Sequence, residues 1–519
     1  TAANDGLLSE DLSDFNLAKG TTNFTLNGGR NEYAIMGWFY RAAYDYKGKY
    51  LAEVNGRYDG TSRFPRGKRY GFFPSFSAAY RISEEAFFEP LRKTVDNLKI
   101  RLSYGSLGNQ QIGYYDFIQT ITTKGSMGDY SFDGTILGQH ATVSDPVSGN
   151  QTWEKVISKN LGADLNMFSN RLSLTADFYI RDTKGILGKG KSLPSIYGAN
   201  EPQVNSNNLR TKGYELVLGW RDSFKLAGST FSYGITGTFS DYTAEYTKCD
   251  NPSGLIGDPY VGKKYGEIWG YKVDGLFRND EEAAEYASRV DLSKVAAGYY
   301  SATGAYGKGV RGGDIKYLDL DGSGIVDGGK GTLEDPGDRR VIGNSSPRYQ
   351  YGLTLNLSWY GFDLSVFMQG IGRLDWYPGA DNLRFWGPYS RPYATFIPKN
   401  FMSQVWSESN PDAYLPRARA YTSLNSTQGT AYYTNDRYLQ NLAYCRLKNL
   451  TLGYTIPKRL TSKVGIKECR VYFSGENLAT WSALKNDFLD PEQAAADSDK
   501  KSNVYPWCRT YSVGLNLTF

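Results

Sequence analysis

The chain has 519 residues, among them 42 Tyr, 25 Phe, 10 Trp and 58 Gly, and its mean hydropathy is -0.50. No run approaches the roughly 18 consecutive apolar residues of a membrane-spanning helix, which excludes a helical membrane protein; a membrane β-barrel stays open because its strands alternate lipid-facing and lumen-facing residues. The 59 basic and 54 acidic residues give a net charge of +5 and are interspersed, without the basic block of a nucleic-acid binder.

Alternation with a period of two predicts strands at 33–46, 49–60, 74–83, 97–107, 155–167, 171–184, 211–222, 229–242, 348–359, 361–371, 443–456, 468–477 and 509–519. The pattern is clean in Leu172, Leu174, Ala176, Phe178 and Ile180, in Tyr214, Leu216, Leu218 and Trp220, and in Tyr351, Leu353, Leu355, Leu357 and Trp359. It is cleanest at the end, where Tyr511, Val513, Leu515, Leu517 and Phe519 alternate with small or polar residues. A soluble antiparallel sheet shows such alternation too.

Connection lengths separate the two cases. Short links (Lys47-Gly48, Phe168 to Asn170, the turn after Asp222, Tyr360-Gly361) alternate with long Gly- and Tyr-rich segments near 108–154, 185–210, 243–347, 372–442 and 478–508. With a periplasmic C-terminus every long segment falls outside the cell, as in an up-and-down outer-membrane barrel. The stretch 61–73 reads as a middling outside loop, and 84–96 as an inside turn with a short helix from Glu84 to Arg92. The expected fold is therefore all-β, a transmembrane antiparallel up-and-down β-barrel. Single-chain bacterial barrels have an even number of strands, so the odd count here predicts that the barrel starts before Thr1. No signal peptide stands at Thr1, as expected of a mature, truncated or cleaved chain.

Nine strings in order carry a family resemblance, among them RYDGTSRFPRGKRYGFFPSFSAAYRI (57–82), NLGADLNMFSNRLSLTADFYIRDTKGIL (160–187), YGEIWGYKVDGLF (265–277), GGDIKYLDLDGSGIVD (312–327), YCRLKNLTLGYTIP (444–457) and YPWCRTYSVGLNLTF (505–519). On these the chain resembles the SusC-like (RagA-like) branch of TonB-dependent outer-membrane transporters. The resemblance implies that residues 1–519 are the C-terminal part of a barrel of about 22 strands with a plugged lumen. It also implies a link to TonB through an N-terminal box and a SusD-like surface lipoprotein as a lid. The plug, the box and the carboxypeptidase-regulatory-like domain usual upstream are not found in these residues. A terminal aromatic such as Phe519 is, by the same resemblance, an assembly signal.

The most chemically explicit motif runs from Asp319 through Asp321, Ser323, the Ile325 carbonyl and Asp327, with Gly324 at the sixth position. These are oxygen ligands in the order of a calcium loop. Lys330 stands where an acid would close that loop. The resemblance supplies a substitute in Asp338 of GDRRVIG (337–343), after an insertion from Gly328 to Pro336. The expected cofactor is a structural Ca²⁺, and the alternative is a solvated Gly/Asp-rich turn.

Gly185 to Ser192 matches the phosphate-loop pattern letter for letter, but Leu193-Pro194 follows where a helix must start, so nucleotide binding is not expected. The single histidine, His140, lies in a long loop near Asp133, Ser144 and Asp145 without forming a recognisable triad. Cys249, Cys445, Cys469 and Cys508 form no C-x-x-C pair, and their pairing is open.

Tyr351, Trp359, Tyr511 and Phe519 are expected in the interface girdle or on the lipid face. Trp376, Tyr377, Phe385, Trp386, Tyr389, Tyr393, Phe396, Phe401 and Trp406 crowd a loop, where packing or lid contact is favoured over direct substrate binding. The expected function is TonB-dependent import of glycan fragments or peptides, with no catalysis, no nucleic-acid partner and outer-membrane lipid around the wall. The rivals are a secreted or surface-attached all-β glycan-binding or adhesin protein, and a glycoside hydrolase with two carboxylates in a cleft.

Overall fold

The computed structural model describes residues 31–519 apart from 126–130, 133–134, 137–138, 192, 301–308, 392, 394–396, 398, 420–423, 425–428, 486–488, 495 and 497–506. Asp133, Ser192 and Phe396 lie outside the described residues. Thirteen strands form one antiparallel sheet in chain order. They are β1 (Ile35–Tyr46), β2 (Tyr50–Thr61), β3 (Tyr70–Arg81), β4 (Val95–Asn109), β5 (Glu154–Met167), β6 (Leu172–Lys189) and β7 (Gln203–Leu226). The series continues with β8 (Ser229–Lys248), β9 (Arg348–Trp359), β10 (Phe362–Arg373), β11 (Tyr444–Thr455), β12 (Glu468–Ser482) and β13 (Thr510–Thr518). Each corresponds to a predicted strand. β6, β7, β8 and β12 run further than alternation suggests, because their outer ends pair beyond the apolar stretch.

Links at one end of the sheet are tight. Lys47-Gly48, Ala227-Gly228 and Tyr360-Gly361 all take positive φ (55° and 66°, 49° and 85°, 50° and 84°), the geometry in which a two-residue turn matches strand twist. The longer inside link after β3 contains two 3-10 turns, Ile82–Glu84 and Ala86–Leu91. The link from β11 to β12 is also longer and holds the helical turn Lys458–Thr461, whereas the longest segments, 110–153, 249–347, 374–443 and 483–509, leave from the opposite end.

Register makes the two faces explicit, because directly paired residues share a face. One row runs Leu98, Leu165, Leu174, Leu218, Gly237, Leu353, Met368, Leu447, Ala479 from β4 to β12. A second runs Tyr44, Ala52, Ala78, Leu102, Leu161, Phe178, Tyr214. Moving one residue along converts the first row into Lys99, Asp164, Thr175, Val217, Thr238, Gly352, Gln369, Arg446, Thr480. Apolar character is thus a property of a whole face. On that face Phe178 is 55% exposed, Leu218 52% and Val513 80%. Among the described residues no second sheet covers it, which rules against a sandwich interior.

The main hydrophobic core lies outside the sheet. Tyr271, Phe277, Tyr299, Tyr317, Trp376, Phe385, Trp386, Tyr438 and Leu442 belong to one buried cluster. It draws on the segments 249–347 and 374–443 and, through Leu489 and Ala494, on 483–509. A small second cluster, Phe64, Phe73 and Trp153, packs under the loop between β4 and β5. Inside the larger unit, helix α1 (Asp280–Ala287) is capped by the Asn279 side chain, which accepts from the Glu282 amide.

Candidate metal centre and transport surfaces

The acidic loop lies between β8 and β9. Asp319, Asp321 and Asp338 each place a carboxylate oxygen within 4.8 Å of the others. Asp338 is fully buried, and its carboxylate accepts from the amides of Leu320 (2.6 Å) and Asp327 (2.9 Å). Asp319 accepts from Gly322 and Gly324 (2.8 and 2.9 Å), and Asp321 from Ser323 (2.8 Å). Hydrogen bonds from Ser323 hold the Asp321 carboxyl below its ordinary range. Burial pushes that of Asp338 above it.

Of the six predicted ligands, the fold gathers Asp319, Asp321 and Asp338. The Ile325 carbonyl accepts from the Ser323 hydroxyl at 3.0 Å. The Asp327 carboxylate is turned to the Gly329 amide at 2.7 Å, while its backbone pairs with Asp338. A hard, oxygen-only donor set with three convergent carboxylates fits a divalent cation such as Ca²⁺.

Gly337 fixes the approach of Asp338. At φ 57° its added Cβ would lie 2.4 Å from the Gly329 nitrogen and 2.6 Å from the Asp327 oxygen. Gly337→Ala should therefore destabilise the loop by about 1 kcal/mol or more. Hydrogen exchange at Leu320 and Asp327 should rise, while exchange in the sheet stays unchanged.

The first five residues of the phosphate-loop lookalike, Gly185 to Lys189, belong to strand β6. Gly185 is a bulge with φ 69°; its amide donates to the Asn208 side chain at 3.0 Å, and the Gly190 amide donates to the Pro202 carbonyl. Those amides are committed and cannot cradle a phosphate. His140 lies on the short strand Gln139–Val143, paired with Lys124. All four cysteines are free.

The polar face carries a charged lattice. Arg101 donates to Asp164 (2.9 Å) and Asp177 (3.0 Å), Asn160 also donates to Asp177, and Arg41 donates to Glu53 at 2.7 Å. Near the loop end Arg446, 1% exposed, binds Asp490 (2.6 Å) and Glu492 (2.9 Å), which ties the segment 489–494 against the inner wall. Of the loop aromatics, Trp376, Tyr377, Phe385, Trp386, Tyr389, Phe401 and Trp406 are core residues, whereas Tyr393 is 83% exposed. Sequence reasoning missed the buried pair Asp314–Arg419 and the Arg446 cluster, whose members lie 105 and 44 or more residues apart.

A continuous antiparallel sheet with one apolar and one charged face, tight turns at one end and a folded loop unit at the other, defines the wall of a transmembrane β-barrel. A family model for the TonB-dependent receptor-like β-barrel matches residues 3–478. The chain belongs to this family of outer-membrane barrels.

TonB-dependent receptor P3 of Formosa agariphila is 26% identical over 535 residues, covering 99% of this chain and 48% of that protein. SusC of Bacteroides thetaiotaomicron is 23% identical over 505 residues, covering 93% and 44%. The structure of the RagAB peptide transporter superposes with a TM-score of 0.71 at 21% identity, covering 98% of this chain and 50% of that one. The chain spans about half the length of the curated relatives it matches.

Proposed function

We propose that this chain forms part of the wall of a TonB-dependent importer that takes up glycan fragments or peptides beneath a SusD-like lipoprotein lid. The observation that carries the proposal is the placement of one large folded loop unit over the end of the sheet opposite the tight turns, where cargo and lid would meet. β1 and β13 are not paired with each other among the described residues, so wall strands from outside this set would close the barrel. TonB would act through a plug that these thirteen strands do not supply. Cargo passing the lumen would meet the polar lattice around Arg101, and the 489–494 segment would narrow the path.

The test uses the native bacterium. An affinity tag beside Ile196, 96% exposed, should recover a surface lipoprotein from detergent-solubilised outer membranes. Deletion of the gene should abolish growth on the cognate oligomer while sparing growth on its monomer. A chain recovered alone from plain buffer would contradict the proposal.

The acidic loop is proposed to hold a structural calcium through Asp319, Asp321 and Asp338, with Ser323, the Ile325 carbonyl and Asp327 completing the set. Weak affinity, on the order of 10⁻⁴ to 10⁻³ M, suffices outside the cell. Replacing Asp319 and Asp321 with Ala, or adding a chelator, should raise proteolysis within 243–347 several-fold. Indifference to both would remove the metal.

A further inference from the structure

On the apolar face, the rows end abruptly on β5, β6 and β7. Two residues beyond Leu161 stands Lys159, and two beyond Tyr214 stands Lys212; the two flank Ile180, their common register partner on β6. Four residues further out, Lys155 is paired directly with Lys184. All four lysines are exposed, and none makes an ion pair among the described residues. The acids of this face are already taken: Asp182 by Arg210, Glu245 by Lys264, and Asp241 by Arg348. Like charges directly opposed in a ladder repel, so this arrangement favours an anion.

The surface beneath gives the anion a body. A groove of about 630 Å³ is lined at this place. Each of four consecutive strands gives it two residues of the apolar face's parity, such as Lys159 with Leu161 and Lys212 with Tyr214. Leu102, Leu161 and Phe178 line it together with the ion-paired Asp241 and Arg348, and of the four lysines Lys159 and Lys212 line its rim, with Lys155 and Lys184 further out. Along the register row of Lys159, β1 to β4 present Ala42, Val54, Phe76 and Tyr104 instead, so the basic rim is local to β5–β7.

We propose that this outward groove binds a phosphate-bearing lipid of the outer leaflet, its acyl chain on Leu102, Leu161 and Phe178. Its phosphates would lie between Lys159 and Lys212, and between Lys155 and Lys184. Lys159 and Lys212 stand on strands separated by one, hence about 10 Å apart at their bases, and their flexible stems can close on one phosphate. The proposal rests on the outer-membrane placement above. Its partner is the leaflet itself and is independent of what the lumen carries.

The test takes the complete complex, extracted from outer membranes in detergent and stripped of lipid. It is titrated with a bis-phosphorylated disaccharide lipid, with the same lipid after dephosphorylation, and with inorganic phosphate, and bound adducts are read by native mass spectrometry. The phosphorylated lipid should bind and the other two should not. Lys159→Gln with Lys212→Gln should weaken binding about thirtyfold, each lysine beside an anionic surface being worth about a factor of five.

Lys225→Gln, near the tight-turn end, should change nothing, and Lys159→Arg with Lys212→Arg should restore binding and so exclude misfolding. Equal binding of the dephosphorylated lipid, or full retention in the double Gln variant, overturns the proposal, as does capture of inorganic phosphate alone. Because the complex is isolated from outer membranes beforehand, such failure leaves the import proposal standing.

Discussion

Leu353→Arg is expected to lower the stability of the membrane-embedded wall by about 2–4 kcal/mol, the cost of an arginine on the lipid face near mid-depth. Leu353 sits in the middle of β9, on the same apolar row as Leu218 and Met368, paired to Gly237 and Met368. Thr354, one residue on, pairs with Thr236 and Phe367 on the polar face, and Thr354→Arg should cost much less because its guanidinium reaches the lumen. The contrast is read as the denaturant midpoint of the complex in lipid vesicles. Equal destabilisation would mean that the two faces are not solvated differently.

A second large effect belongs to the loop unit. Arg419 and Asp314 are 4% and 1% exposed, with Nε to Oδ1 at 2.9 Å and Nη2 to Oδ2 at 2.5 Å, and Arg419 lies 4.1 Å over the Tyr299 ring. Removing the acid strands a buried cation, so Asp314→Ala should destabilise the loop unit by about 3–5 kcal/mol. Replacing both residues with apolar ones of similar volume should cost less than the single change, since the pair's own desolvation is then avoided. Limited proteolysis within 249–347 and 374–443 reads the difference. The sheet should stay heat-resistant in each variant, because the pair lies in the loops.

What could be read from the chain, and what could not, divides along sequence distance. The strands were legible because a wall one layer thick imposes the same alternation on every crossing, and β13 shows it in Tyr511, Val513, Leu515 and Leu517. Their outer ends were not: β7 begins at Gln203, eight residues before the predicted start at 211, because paired backbone beyond the membrane needs no apolar side chain.

The loop core was illegible for a different reason. Tyr271, Trp386 and Tyr438 pack together without any period that links them, and Asp314 meets Arg419 only after folding. The acidic loop was half legible. Its local ligands follow a spacing rule, but Asp338 comes from beyond an insertion and was reached only through a resemblance. The letter-perfect phosphate-loop match shows the opposite hazard, since Gly185 to Lys189 form ladder in β6 and among the described residues only the three-residue 3-10 turn Ser195–Tyr197 follows.

The most direct measurement places single nitroxide labels at Leu174, Leu218 and Leu353 and at their neighbours Thr175, Val217 and Thr354, in the complex reconstituted into lipid bilayers. Collision rates with oxygen and with a water-soluble nickel chelate are then compared. Oxygen should dominate at the three leucine positions and the chelate at the three neighbours, alternating with the pleat on β6, β7 and β9. Chelate access to both sets alike would show water on each side of the sheet, and there would be no membrane wall.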